Sequence, residues 1–297
     1  MLKSNHNSQK DTSRIVSSCQ HGSGSHLLAI PKEYTWSDCP DEQWNTNVAF
    51  RLGLPINGIP LHMTCGHCGP SVHVDPQGHH FINCKYCGKR LMIHNRVNDE
   101  LGGMVKLTGA SVSTDHLSFV FPNSNHSPDM YLTDCQQIIK PFMKNSSPEL
   151  MPQPTPTKNA IATDFTAVFP TSDNPLHAAH RENNAKISLY DPLITEHQPL
   201  CIFLPLVMEI YGGCHPTLRA FLSAVSSEIA AKTSIDHSIL YNYHLKKLNM
   251  ALAKGIADAI IYHRNRAIYS VDNTVSTPST LIEFAEFAHF STEVNQF

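Results

Sequence analysis

Apolar residues recur at helical spacing through much of this chain and at strand spacing in a few short runs. After an acidic, proline-containing start, Trp44, Val48 and Leu52 stand at i, i+4 and i+8, which predicts a helix over 38–52 packed on that stripe. Further helices are predicted over 92–107 and 177–190. The last third is the most regular. There Leu218, Phe221, Leu222, Val225 and Ile229 line one face, and Leu245, Leu248, Leu252, Ile256 and Ala259 line a second. Such stripes exist to be buried, so both are assigned to the core. The best strand signal covers 160–169, with shorter candidates at 118–121 and 130–132. The apolar run 201–208 is too short to cross a bilayer.

Polar stretches punctuate these elements. Residues 1–25 are rich in Ser, Asn, Gln and His and are predicted to be unstructured, and 144–159, with Pro148, Pro152, Pro154 and Pro156, to be an exposed loop. At 297 residues the chain can bury a sizeable core, and its net charge of −3 excludes a whole-chain basic field of the kind that drives tight non-specific nucleic-acid binding. A local basic stretch (Lys85, Lys89, Arg90, Arg96) is compatible with phosphate contact. The first fourteen residues lack a signal-type apolar run, and nine cysteines point to thiols and metal ligation rather than a disulfide framework. The expected location is therefore nucleus or cytoplasm, without secretion or membrane insertion.

The cysteines carry the first chemical signal. Cys65 and Cys68, separated by two residues, put two sulfurs on one side of a tight loop, which is half of a tetrahedral zinc site. His79, His80, Cys84 and Cys87 follow. Two closures compete: His80 with Cys84, or Cys84 with Cys87, and His79 is an alternative nitrogen donor. A site with four protein ligands is structural, so this zinc organises fold and surface rather than activating water.

Several blocks, in order, resemble the C-terminal region of non-LTR retrotransposon proteins, the part that follows the reverse transcriptase. Residues 21–31 (HGSGSHLLAIP) resemble the family's "GAWL-ALP" stretch, and 48–55 (VAFRLGLP) its "RLGLP". The cysteine segment with 93–99 (IHNRVND) resembles its knuckle and "RHN" helix, and 203–212 (FLPLVMEIYG) its "F-P-ETFG" segment. No segment resembles the reverse transcriptase itself.

The resemblance implies an α+β chain in which a zinc knuckle precedes a PD-(D/E)xK restriction-endonuclease-like α/β core, with a helical C-terminal region. The implied organisation is a disordered or linker N-terminus (1–31), a helical segment (32–64), the knuckle (65–90), the nuclease core (91–200), a helical region (201–270) and a tail (271–297). It implies Cys65, Cys68, His80 and Cys84 as zinc ligands. It also implies that Asp129 and Asp164 hold Mg²⁺ beside a scissile phosphate, with Lys186 and Tyr190 one turn apart on the next helix. Ser127 stands where the family has a basic residue before Pro-Asp, and the 129–164 gap is longer than the family's, which leaves Glu149 as an alternative first acid. The implied function is nicking of target DNA for target-primed reverse transcription. Its partners are DNA, the element's RNA and a separate reverse transcriptase. The alternative is a non-catalytic remnant whose knuckle binds nucleic acid or a protein.

Overall fold

The described residues of the computed structural model are 2–28, 35–65, 67–84, 89–115, 117–122, 124–143 and 158–272. In chain order the elements are α1 (Leu2–Ser18), α2 (Asp41–Leu52), β1 (Thr64–Cys65), β2 (Gly69–His73), α3 (His79–Asn83), α4 (Lys89–Lys106), β3 (Ser111–Ser113), β4 (Met130–Thr133), α5 (Gln136–Met143), β5 (Ala160–Val168), α6 (His177–His197), β6 (Cys201–Glu209), α7 (Pro216–Thr233) and α8 (His237–Asp272). The fold is α+β. A mixed four-stranded sheet runs β3-β4-β5-β6, antiparallel up to β5 and parallel between β5 and β6. A separate β1-β2 hairpin carries the first two cysteines of the knuckle region.

The period-2 alternation of strand side chains divides the interior in two. Met130 and Leu132 of β4, Ile161 and Phe165 of β5, and Leu204, Leu206 and Met208 of β6 join the large core with α4, α7 and α8. The intervening residues Ala160, Ala162, Cys201 and Phe203 face the other way and pack with Leu117, Phe121 and the α6 residues Tyr190 and Ile194. With helices on both sides, β6 is buried along nearly its whole length. This explains the uninterrupted apolar run, since a strand covered on both faces has no polar face to alternate with. The region 201–270 is thus not wholly helical: its first nine residues complete the sheet.

α8 ties the molecule together. It packs on α2, α3, α4 and α7 and on the short 3-10 turns at Ser25–Leu28 and Thr35–Ser37. Gly255 admits the backbone of α4 beside it, because a Cβ there would lie 3.1 Å from Ile93 Cα. Arg264 donates to Asn57 O and to Glu42, and Lys254 to Trp36 O. Both apolar stripes expected of α7 and α8 are fully interior.

Three other expectations need correction. The N-terminal segment is helical over α1, and Ser13 and Ser17 are buried. Its polarity misled because the ordering is tertiary: Arg14 donates to Arg51 O, while Arg51 donates to Ser18 O, Ser23 Oγ and Tyr211 O. The buried face of α2 is Thr46, Asn47 and Phe50, and Leu52 is 56% exposed. Asn47 is drawn inward by hydrogen bonds to His26 and Ala253 O, and Phe50 by stacking on Tyr211. Finally, Leu117–Phe119 is a 3-10 turn rather than a strand. The proline-rich segment and Glu149 lie outside the described residues, and α5 precedes them in the long β4–β5 connection.

Candidate metal centres

The first centre is built on the hairpin and on α3. Asp75 caps α3 by accepting from His79 N (2.9 Å) and His80 N (2.7 Å), and Gly78 supplies the left-handed turn (φ 78°) that starts the helix. His80 and Cys84, four residues apart, then project on one side toward Cys65 and Cys68. Cys65 Sγ lies 3.7 Å from Cys84 Sγ, and Cys68 Sγ lies 3.6 Å from both Cys84 Sγ and His80 Nε2. Ligands about 2.0–2.3 Å from a zinc ion stand roughly 3.5–3.8 Å apart along the edges of a tetrahedron, so these four donors match such a site. Despite burial, backbone N–H groups of His67 and Cys68 pull the Cys65 thiol down to about 7, which favours the thiolate a metal needs. The Cys65–Cys68–His80–Cys84 cluster can hold a metal such as zinc.

His79 is committed elsewhere. Its Nδ1 pairs with Asp75 Oδ1 at 2.8 Å and its Nε2 with Tyr211 OH at 3.0 Å. Burial alone would raise Asp75, but His79 and the two backbone N–H groups hold it at about 2. Cys87 lies outside the described residues.

The second centre sits on the α6 side of the sheet. Met130 pairs with Thr163, and Asp129 N donates to Thr163 O at 2.8 Å, so Asp129 stands beside Asp164 across the β4–β5 boundary. Asp164 occupies a strand position that alternates away from the large core, and Asp129 is the residue that leads into β4. Phe165 N donates to Asp129 Oδ2 at 2.6 Å. Lys186, from α6, donates to Asp164 Oδ1 at 2.6 Å, with both side chains 12% exposed. Burial, then the charge of Asp129, raises the Asp164 pKa against the pull of Lys186. Tyr190, one turn beyond Lys186, stacks on Phe203 (4.4 Å between centroids) and donates to Ser127 O at 3.2 Å. Burial and the neighbouring acids push its hydroxyl well above the ordinary tyrosine range.

One participant was not singled out from the sequence. His94, on α4, reaches across to place Nε2 2.8 Å from Asp129 Oδ2. Burial opposes its charge, but Asp129 outweighs that and raises the imidazole above its usual pKa. His94, Asp129 and Asp164 offer ligand atoms that all lie within 4.8 Å of one another. Oxygen ligands lie about 2.0–2.6 Å from Mg²⁺ or Ca²⁺, so donors on one ion are at most about 5 Å apart and this spacing fits. The signal in the sequence was the His94-Asn95 pair, which marked a helix without revealing what that helix overlies.

The fold and its two clusters define an α+β protein with a Cys₃His cluster that can hold a metal and a carboxylate–imidazole cluster beside a lysine. Comparisons with family models, with curated proteins and with solved structures find no match to this chain. Among the described residues no helix is long and apolar enough to cross a membrane.

Proposed function

We propose that this chain is a divalent-metal-dependent DNA endonuclease domain of non-LTR retrotransposon ancestry, with a PD-(D/E)xK-type core and a zinc knuckle. One observation carries the reading. One acid on β5, a second at the entry to the adjacent β4 and an imidazole have ligand atoms within 4.8 Å, with an ammonium 2.6 Å from the acid on β5. Asp129 and Asp164 would hold Mg²⁺, which supplies a Lewis acid to the phosphoryl oxygens and lowers the pKa of bound water. The remaining chemistry belongs to the side chains. His94 and Phe165 N–H restrain Asp129 by binding its Oδ2. Lys186 keeps protons available for orienting a water or meeting charge that develops on the phosphate. Tyr190 is held by Ser127 O and Phe203 and acts as a wall of the site. The retrotransposon resemblance adds DNA as the substrate, with element RNA and a separate reverse transcriptase as partners.

The test is nicking of supercoiled plasmid by the zinc-loaded chain with Mg²⁺ or Mn²⁺. Wild type is expected to nick, and Asp164→Ala to lose on the order of 100-fold or more, as removal of a group that stabilises transition-state charge does. Absence of nicking by the wild type favours the non-catalytic reading, in which Lys186 and His94 merely neutralise the two acids. Equal nicking by both proteins refutes the assignment of the site.

A further inference from the structure

Two cavities adjoin the cation cluster and the zinc cluster and share a wall. The larger, about 410 Å³, is lined by Ile82, Arg90, His94, Phe165, Phe169 and Ile210 among others. The smaller, about 310 Å³, is lined by Lys10, His79, Asn83, Phe169 and Tyr211 among others. Phe169 belongs to both. The neighbours Ile82 and Asn83 line one each, as do Ile210 and Tyr211, so the two cavities abut at Phe169. At one end stand His94 and Phe165, both bonded to Asp129. At the other end is α3, the helix that carries His80.

The lining chemistry is specific in kind. Apolar and aromatic side chains form most of the larger cavity, polar Gln9, Ser13, Asn83 and Thr171 join the rings of His79, Phe169 and Tyr211 in the smaller, and each cavity has one exposed cation, Arg90 in the larger and Lys10 in the smaller. The acid in the larger cavity, Glu182, lies one turn before Lys186 on α6, so the cationic wall is that of α4. His79 has both ring nitrogens engaged and lies 6.0 Å from Phe169 between ring centroids, so it is a fixed flat surface rather than a base. Ring faces with spaced cations suit an unpaired strand, whose bases each offer a π-face and whose phosphates each offer a charge. A duplex keeps its base faces stacked inward and has nothing to insert into such a trough.

We propose that this trough seats a single DNA strand continuous with the scissile phosphate, bases against the rings of Phe169 and His79 and phosphates at Arg90 and Lys10. The placement of the cut relative to that strand rests on the endonuclease reading; the binding itself does not. It is tested by fluorescence anisotropy of the full zinc-loaded chain in magnesium-free buffer. The probes are a labelled oligothymidylate of about twelve nucleotides, within the usual range of single-strand sites, and a blunt duplex of similar length. The oligothymidylate is expected to bind more tightly than the duplex. Phe169→Ala should weaken it about fivefold or more and leave the duplex unchanged. The double variant Lys10→Gln, Arg90→Gln, which touches only exposed side chains, should flatten the salt dependence of oligothymidylate binding by roughly 0.7 in slope per charge removed. The proposal is overturned if the duplex binds as tightly, if Phe169→Ala leaves oligothymidylate affinity within about twofold, or if the double variant keeps the wild-type slope. A chain that nicks plasmid but fails these measurements refutes the trough and spares the nuclease. A chain that passes them without nicking does the reverse.

Discussion

Acid should unfold this protein through three sealed imidazoles. His26, His215 and His244 are 3%, 5% and 2% exposed, and burial lowers each pKa from about 6.5 to about 4. Neighbouring groups add to the effect: Arg51 for His26, His180 and Arg219 for His215, and Lys247 for His244. Between those two pKa values the unfolded chain binds more protons than the native one. Stability is therefore complete above about pH 6.5 and falls as pH drops toward 4. From pH 7.5 to 5.5 each group removes about 1.3 kcal/mol and the three together about 4 kcal/mol, against a total stability of about 5–15 kcal/mol. With an unfolding entropy of about 2.1 cal/mol/K per residue, one group corresponds in a chain of this size to a shift of about 2–3 °C in Tm. The assay is calorimetric melting at both pH values for wild type and His244→Gln. Glutamine retains a partner for Ser226 Oγ, which lies 3.2 Å from His244 Nδ1, but does not titrate. Acid also weakens metal ligation by cysteine and histidine, so both proteins are melted without added metal and any loss at the Cys₃His cluster is common to both. The variant should lose about 2–3 °C less than wild type on acidification. An identical acid shift in the two proteins would refute the reasoning for that site.

Two further perturbations test the zinc cluster and the packing around the 209–214 turn. Cys84→Ser should abolish stoichiometric zinc binding and disorder the 63–84 region, because structural zinc contributes about 10–16 kcal/mol in isolated zinc fingers; metal analysis with near-UV circular dichroism reads it, and full zinc occupancy in the variant would contradict the ligand set. Gly212→Ala should cost at least about 2 kcal/mol, read as a lower urea midpoint, since φ is 94° and a Cβ would come within 2.3 Å of Asn249 Oδ1 and 2.5 Å of Ser23 O; an unchanged midpoint would show that the turn relaxes freely.

The Cys₃His cluster was legible because its donors fall within twenty residues and local spacing fixes most of its geometry. What spacing could not decide was His79 against His80, adjacent residues of one type. That choice is made by Asp75, four residues earlier, and by Tyr211, 132 residues later, which together occupy both His79 nitrogens. The acids at 129 and 164 were marked by resemblance, but their approach depends on the register of β4 against β5, which a long connection hides. His94 was missed as a participant for a related reason: its reach to Asp129 exists only because α4 packs over β5. β6 was hidden by the absence of alternation, and α1 by a polar composition whose order comes from Arg14 and Arg51. The helical stripes of α7 and α8 were read directly, because periodic burial leaves a periodic sequence.

The long helix α8 also sets an order of events during synthesis. Every element it packs against precedes it in the chain, from the turn at 25–28 to α7. Until residues 237–272 emerge from the ribosome, the apolar faces of α4 and α7 lack their main cover, and Phe81 lacks the His263 ring that stacks on it at 5.1 Å. Translation adds about 5–20 residues per second, so the growing chain carries that uncovered surface for seconds. During that window it is a substrate for chaperones and for aggregation. Closure is then a late step that joins the hairpin, the sheet and the N-terminal helices at once.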